Sequence, residues 1–155
     1  MPSTHAAVRG TRVFLALCPL LAVHLALFTI PLIEWSWWYV LWVVVLTRVI
    51  GLGITVGFHR YFSHRSFKTP RWFQFGLAVA GCAALQKGPL WWAVHHRLHH
   101  RHSDQPGDPH SPVVDGFLYG HVGWLFARDL MHPDETVVHD LTRYREIVWL
   151  DRLWM

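Results

Sequence analysis

Apolar residues fall in long unbroken runs along most of the first half of the chain, and that pattern sets the first expectation. Val13 to Ile33, VFLALCPLLAVHLALFTIPLI, is long enough for a helix to cross a hydrocarbon core of roughly 30 Å at about 1.5 Å per residue. A cleaved signal peptide is the competing reading, but the run is long for one and has no A-x-A or lipobox pattern around Cys18. After the short polar break Glu34-Trp35-Ser36, a second run extends from Trp37 to Phe58, so a transmembrane helical hairpin is predicted over about 13–58.

A third run, Trp72 to Leu85, reads WFQFGLAVAGCAAL; it is short for a span and carries Gln74 inside and Gln86-Lys87 behind it. An interfacial or re-entrant helix fits it better. Gly88-Pro89 ends that run, and a histidine-rich helix follows. From His102 the chain turns polar through SDQPGDPHSP, then aromatic in GFLYGHVGWLF, and finishes in a charged tail. The expectation is one all-α membrane domain over 1–155, a hairpin followed by interfacial and cytoplasmic helices over about 59–155.

Composition supports lipid as the solvent. Hydrophobic residues make up 52% of 155, mean hydropathy is +0.21, and ten Trp suit a membrane–water interface. The formal charge of +4 is compatible with nucleic acid or with an anionic bilayer face. Because the basic residues flank the apolar runs instead of forming a stripe, nucleic acid is set aside. Arg9 and Arg12 precede the hairpin, Arg60, Arg65, Lys68 and Arg71 follow it, and the turn between carries none, which puts both ends in the cytoplasm. Arg48 lies inside the second run and is expected to turn toward a protein interior, a polar cavity or a headgroup. Cys18 and Cys82 both sit in apolar runs and read as packing residues.

Thirteen histidines are what composition leaves unexplained. His5, His24, His132 and His139 are isolated and read as hydrogen-bonded packing or interface residues. Two clusters differ: His59 with His64, and WWAVHHRLHHRHSD, in which His96, His99 and His100 share one helical face. The five-residue step from His59 to His64 fits one face less well and works best where a helix ends. Grouped imidazoles of this kind point to a metal, with iron, zinc, copper and nickel all open. A third segment lying on the membrane surface would put both clusters on the same side, whereas a spanning one would separate them by roughly 30 Å.

The stretches GITVGFHRYFSHRSFKT, WWAVHHRLHHRHSD, DPHSP and GHVGW, in this order, resemble the membrane fatty acyl desaturases of the acyl-CoA desaturase type, especially bacterial members that share the QKGPLWW lead-in. The resemblance covers nearly the whole chain. It implies two iron ions held by three histidine boxes, which use O2 to insert a cis double bond, of the delta-9 type, into a saturated acyl chain. An oxidising metal is what such chemistry requires, since no side chain can break an unactivated C–H bond. His59 and His64 then form the first box and His96, His99 and His100 the second, with His95 and His102 outside the pattern. His110 and His121 are read as structural or tunnel residues. Trp91, Trp92 and Trp124 are read as tunnel walls, with ordinary interface packing equally open. Lys87 and Arg97 are candidates for the phosphates of an acyl-CoA, an acyl-carrier protein or a lipid head group, while Arg101 reads as a solvated charge.

The resemblance further implies ferredoxin, or cytochrome b5 with a reductase, as electron donor, and a multi-pass protein of a bacterial inner membrane with its boxes on the cytoplasmic side. One departure matters: no third box, another HxxHH, follows in Ile147 to Met155. A fragment of a longer gene is the simplest expectation, and completion by a second polypeptide is the other. Five box histidines are too few for two irons, so this chain alone is expected to bind metal incompletely and to be inactive. The alternatives are a related membrane di-iron hydroxylase and a non-catalytic metal-binding membrane fragment.

Overall fold

A computed structural model of the chain describes residues 21–127 and 134–154. Those residues are helical, with no β-strand among them, as the apolar pattern predicts. Of the first apolar run, Leu21–Leu32 is an apolar helix. It is α-helical over 21–26 (α1) and tightens to a 3₁₀ helix over Leu27–Leu32, where Pro31 supplies no N–H to an α-helical ladder. The beginning of that run, with His5, Arg9, Arg12 and Cys18, lies outside the described residues, as does His132.

α2 (Trp37–Leu52) starts at Ser36, whose Oγ accepts from the Trp38 N–H at 3.3 Å. It runs without a break into a π-helical segment, Gly53–Ser63, and the continuous helix Trp37–Ser63 of 27 residues is the one described element long and apolar enough to cross a membrane. α2 buries none of its residues, and Trp37, Trp38, Trp42, Val43, Val44, Val45 and Val49 are exposed. So much contiguous apolar surface is at home in lipid. Arg48 is exposed on this same helix and has no ion pair among the described residues. Of the three settings expected for it, an interior is removed because α2 buries none of its residues, which leaves a polar cavity or a headgroup.

α3 (Arg71–Cys82) lies against the π-segment at a close crossing. A Cβ on Gly53 would collide with the Ala80 backbone, and one on Gly81 with the Phe58 ring. The crossing therefore depends on absent side chains, the small-residue spacing Gly53-x-x-x-Gly57 being a familiar device for close helix approach. Gln74, the polar residue inside the third apolar run, is buried at this contact and accepts from the Tyr61 hydroxyl at 3.2 Å.

α4 (Pro89–His102) crosses the other side of the π-segment. Short helices α5 (Pro112–Asp115), α6 (Phe117–His121) and α7 (His139–Thr142) lead to α8 (Arg145–Leu153). The core between them is built by Phe58, Phe62, Leu77, Leu90, Val94, Val138, Leu141, Ile147 and Leu150. Complete burial of a side chain such as Phe58 or Ile147 contributes about 1.5–3 kcal/mol. Arg71 fastens α3 to α8 through two bonds to Glu146 at 3.1 and 2.7 Å.

α4 begins at Pro89, whose missing N–H costs nothing at the first helical position. The next N–H groups are satisfied from far along the chain: Asp151 Oδ1 of α8 accepts from Leu90 at 2.7 Å and from Trp91 at 3.1 Å. Gly88 leaves room for this carboxylate, which a Cβ would strike. One buried acid thus sets where the histidine-rich helix starts and ties it to α8.

Candidate metal centre

The five-residue step between His59 and His64 is resolved by the π-segment. On an α-helix each residue advances about 100°, so the two would stand about 140° apart. Here the His64 N–H donates to the His59 carbonyl at 3.1 Å, an i→i+5 bond, and the two rings come within 4.6 Å. His96 and His100, one turn apart on α4, meet them from the other side. His64 Nε2 lies 3.2 Å from His59 Nε2 and 3.1 Å from His96 Nε2, and His96 Nε2 lies 3.1 Å from His100 Nε2.

Four donor nitrogens therefore converge from two helices. An imidazole nitrogen carries either one hydrogen or one lone pair, never both. His64 and His96 each face two other Nε2 atoms, so ordinary hydrogen bonds satisfy these contacts poorly, whereas one cation between four lone pairs satisfies all of them. Ligand atoms about 2.0–2.1 Å from a metal sit about 3 Å from one another, close to the spacing seen. Burial, then the neighbouring His100, His59, His64 and His99, push His96 down to about 3. Burial, then His59 and His100, also lower His64. Both rings are held neutral, the form that binds metal.

His99 faces away from this group, toward Asp108 and His110. Both Asp108 oxygens lie 3.0 Å from His99 Nδ1; an ionised carboxylate only accepts, so Nδ1 carries the hydrogen and Nε2 the lone pair. Asp108 also accepts the N–H groups of Asp104 and His110, at 3.0 and 3.1 Å. Burial alone would raise its carboxyl, but these bonds prevail and hold it low. The His110 ring stacks on His99 at 4.4 Å, and burial, then His99, lower its affinity for a proton. His99, Asp108 and His110 make a second group whose ligand atoms are close enough to share an ion.

Of the five histidines singled out in the sequence, the structure thus brings His59, His64, His96 and His100 together and places His99 in an adjoining group. That group contains His110, which the sequence reading gave a structural or tunnel role. His95 is buried and donates from Nδ1 to the Trp91 carbonyl at 2.7 Å, while His102 lies beside Gly107. His121 is exposed and stacks on Phe117 at 5.5 Å.

Aromatic side chains wall the site. Trp92 stacks on His96 at 4.6 Å and donates from Nε1 to Gln86 Oε1 at 3.3 Å; Trp91 stacks on Trp124 at 5.4 Å. Beside them opens a largely apolar cavity of about 530 Å³, lined by Leu85, Trp91, Trp92, Trp124 and Phe126 with Lys87 among the lining residues. Its volume is that of a typical small-molecule site.

Arg97 overturns the phosphate-binding expectation. Its guanidinium donates from Nε to Ser63 O (3.1 Å), from Nη1 to Val137 O (2.9 Å) and Asp140 Oδ1 (2.8 Å), and from Nη2 to Phe62 O (2.6 Å) and Asp140 Oδ2 (3.2 Å). Guanidinium has five N–H groups, and all are committed within the protein. Nothing is left for an acyl carrier. The acids Asp108, Asp140 and Asp151 escape a sequence reading; only Asp108, inside the DPHSP stretch, carried a local signal.

Comparison with known proteins gives the family. The model of the family described as fatty acid desaturase matches residues 35–154. The chain is 49% identical over 84 residues to an sn-1 stearoyl-lipid 9-desaturase of Anabaena variabilis, covering 54% of this chain and 30% of that protein. It is 38% identical over 122 residues to a hex-5-enoyl-[acyl-carrier protein] acetylenase of Moorena producens, covering 68% and 38%. To delta-9 acyl-lipid desaturase 2 of Arabidopsis thaliana it is 46% identical over 90 residues, covering 57% and 29%. The chain spans about a third of the length of these relatives. With a family match that takes in the long apolar helix, the candidate site and the helices after it, the chain belongs to the fatty acid desaturases, a family of oxidoreductases.

Proposed function

We propose that the chain carries the first two histidine boxes of a membrane acyl desaturase that inserts a cis double bond, of the delta-9 type, into a saturated acyl chain. The convergence of four Nε2 atoms at 3.1–3.2 Å spacing is the observation that carries this reading. His59, His64, His96 and His100 would hold one iron, and His99, its lone pair placed on Nε2 by the Nδ1 bond to Asp108, would serve the second. Bound iron, with O2 and electrons from a ferredoxin or a cytochrome b5, supplies the oxidising power that no side chain has.

The chain's own residues position and shelter the reaction. Trp92, lying flat on His96, fixes the ring and closes the metal group toward the cavity. Trp91, Trp124 and Phe126 give that cavity the apolar, water-excluding wall an acyl chain needs. Lys87 lines the same cavity and has no ion pair among the described residues, so it can receive the phosphate of an acyl-CoA, an acyl-carrier protein or a lipid head group. Trp37–Ser63 crosses the bilayer of a bacterial inner membrane as one arm of a hairpin, and Arg60, Arg65, Lys68 and Arg71 keep the boxes on the cytoplasmic side.

Expression of the gene that carries this chain in a host lacking unsaturated lipids, followed by analysis of its fatty acids and bound iron, tests the reading. A new alkene at one chain position is expected. Saturated chains only, in membranes whose protein contains iron, would refute it, and a hydroxylated chain would assign a hydroxylase instead.

A further inference from the structure

Arg97 stands between the box histidines of α4, yet its side chain points into the protein, with only 12% of it exposed. Two of its acceptors, the carbonyls of Phe62 and Ser63, are the last of the π-segment and directly precede His64. They lie beyond the main-chain bonds that close this helix, which end on His59, Arg60 and Tyr61. A helix leaves such carbonyls in need of donors, and a cation is favoured there. α4 therefore caps the helix of the first box with a residue of the second. Asp140 holds the other edge of the guanidinium, and is itself held by Arg65 at 2.8 Å; the Arg97 bond to Val137 ties in the 3₁₀ turn Glu135–Val138.

We infer that Arg97 is a positioning residue for the metal group: it fixes His64 against His96 and His100 by binding the carbonyls of Phe62 and Ser63, with Asp140 as the anchor that keeps the guanidinium in plane. The inference rests on the metal reading of the four histidines. It gives the segment around 137–140, whose described residues contribute nothing to either candidate metal group, a direct mechanical role in ligand spacing. Lys cannot substitute, because a single ammonium with three donors does not span two carbonyls and a carboxylate as a planar fork does.

The full chain in detergent, titrated with cobalt(II) alone, tests this through affinity and through the visible spectrum, which reports ligand geometry. Arg97→Lys is expected to raise the dissociation constant about tenfold and to change the spectrum. Asp140→Asn, which keeps the three main-chain acceptors of Arg97, is expected to move both in the same direction by less. Arg71→Gln removes an exposed ion pair away from the site and should match wild type. Should Arg97→Lys fail to fold, judged by its helical circular dichroism, Asp140→Asn decides alone. Wild-type affinity and spectrum in the folded variants would overturn the inference. Wild-type chain that takes up no cobalt would instead overturn the metal reading beneath it, a failure visible before any substitution is made.

Discussion

Asp108 receives the His99 Nδ1–H on both carboxylate oxygens, 3.0 Å to each, while the main-chain N–H groups of Asp104 and His110 hold the same carboxylate from the loop side. The ring cannot rotate or change tautomer without breaking this arrangement. A carboxylate behind an imidazole also makes the far nitrogen a stronger donor.

Asp108→Asn should therefore act on stability and on metal together. One acceptor becomes a donor facing donors, at a cost of about 1–3 kcal/mol. Binding that involves His99 should weaken about 10–100-fold, while the group of His59, His64, His96 and His100 keeps its affinity. Thermal unfolding of the metal-free chain and a cobalt titration measure the two effects; an unchanged midpoint would refute the first.

Asp151 gives a pH dependence of definite sign. Burial raises its carboxyl above the usual range, and the bonds from Trp91 and Leu90 offset this only in part. The folded state thus binds the proton more readily than the unfolded chain, so this group's contribution is greatest at low pH and declines as pH rises through the carboxylate range toward the raised value. Asp151→Ala should cost about 1–2 kcal/mol through loss of the α4 cap, with the gap to wild type narrowing as pH rises. Unfolding midpoints of both chains across the acid range check the slope.

Glycine positions separate close packing from helix propensity. Gly53→Val drives a branched side chain into the Ala80 backbone and should prevent α3 from docking, seen as loss of protease resistance at 71–82. Gly51→Ala, two residues earlier with nothing within 4 Å, should be neutral or stabilise by up to about 1 kcal/mol.

Trp92→Ala leaves all box histidines in place but removes the face against which His96 packs and part of the cavity wall. On the proposed desaturase reading, desaturation should fall by at least about tenfold as the acyl chain loses its placement, while cobalt binding persists. Equal loss of metal and activity would show that the stack matters to the ligand and not to the substrate.

What the sequence made legible was carried by spacing and by uninterrupted apolarity: the long helix from Trp37, the separate third run, and the two histidine clusters. The geometry that joins them was less accessible. His59 and His64 look misaligned under α-helical spacing, because nothing local announces a π-segment. The split of His99 from His100, adjacent residues on one helix, depends on Asp108 beyond the turn. Arg97 resembles any cation near a phosphate site until its four partners, Phe62, Ser63, Val137 and Asp140, are known, and every one lies more than thirty residues away in sequence. For Arg48 the apolar run left an interior, a polar cavity or a headgroup open, and only the lack of buried residues on α2 removes the first.

The passage from α2 into the π-segment also separates two rotational settings along one rod. Above Gly53 the helix turns with the ordinary α period and buries none of its residues. Below it the wider turn resets the phase, so that His59 and His64 are aimed by contacts with α3 and α4 instead. An α period across the same five-residue step would set the two histidines about 140° apart and swing His64 away from His96. Substitutions in the upper part, by contrast, can adapt the protein to a different bilayer while the aim of the histidines stays fixed.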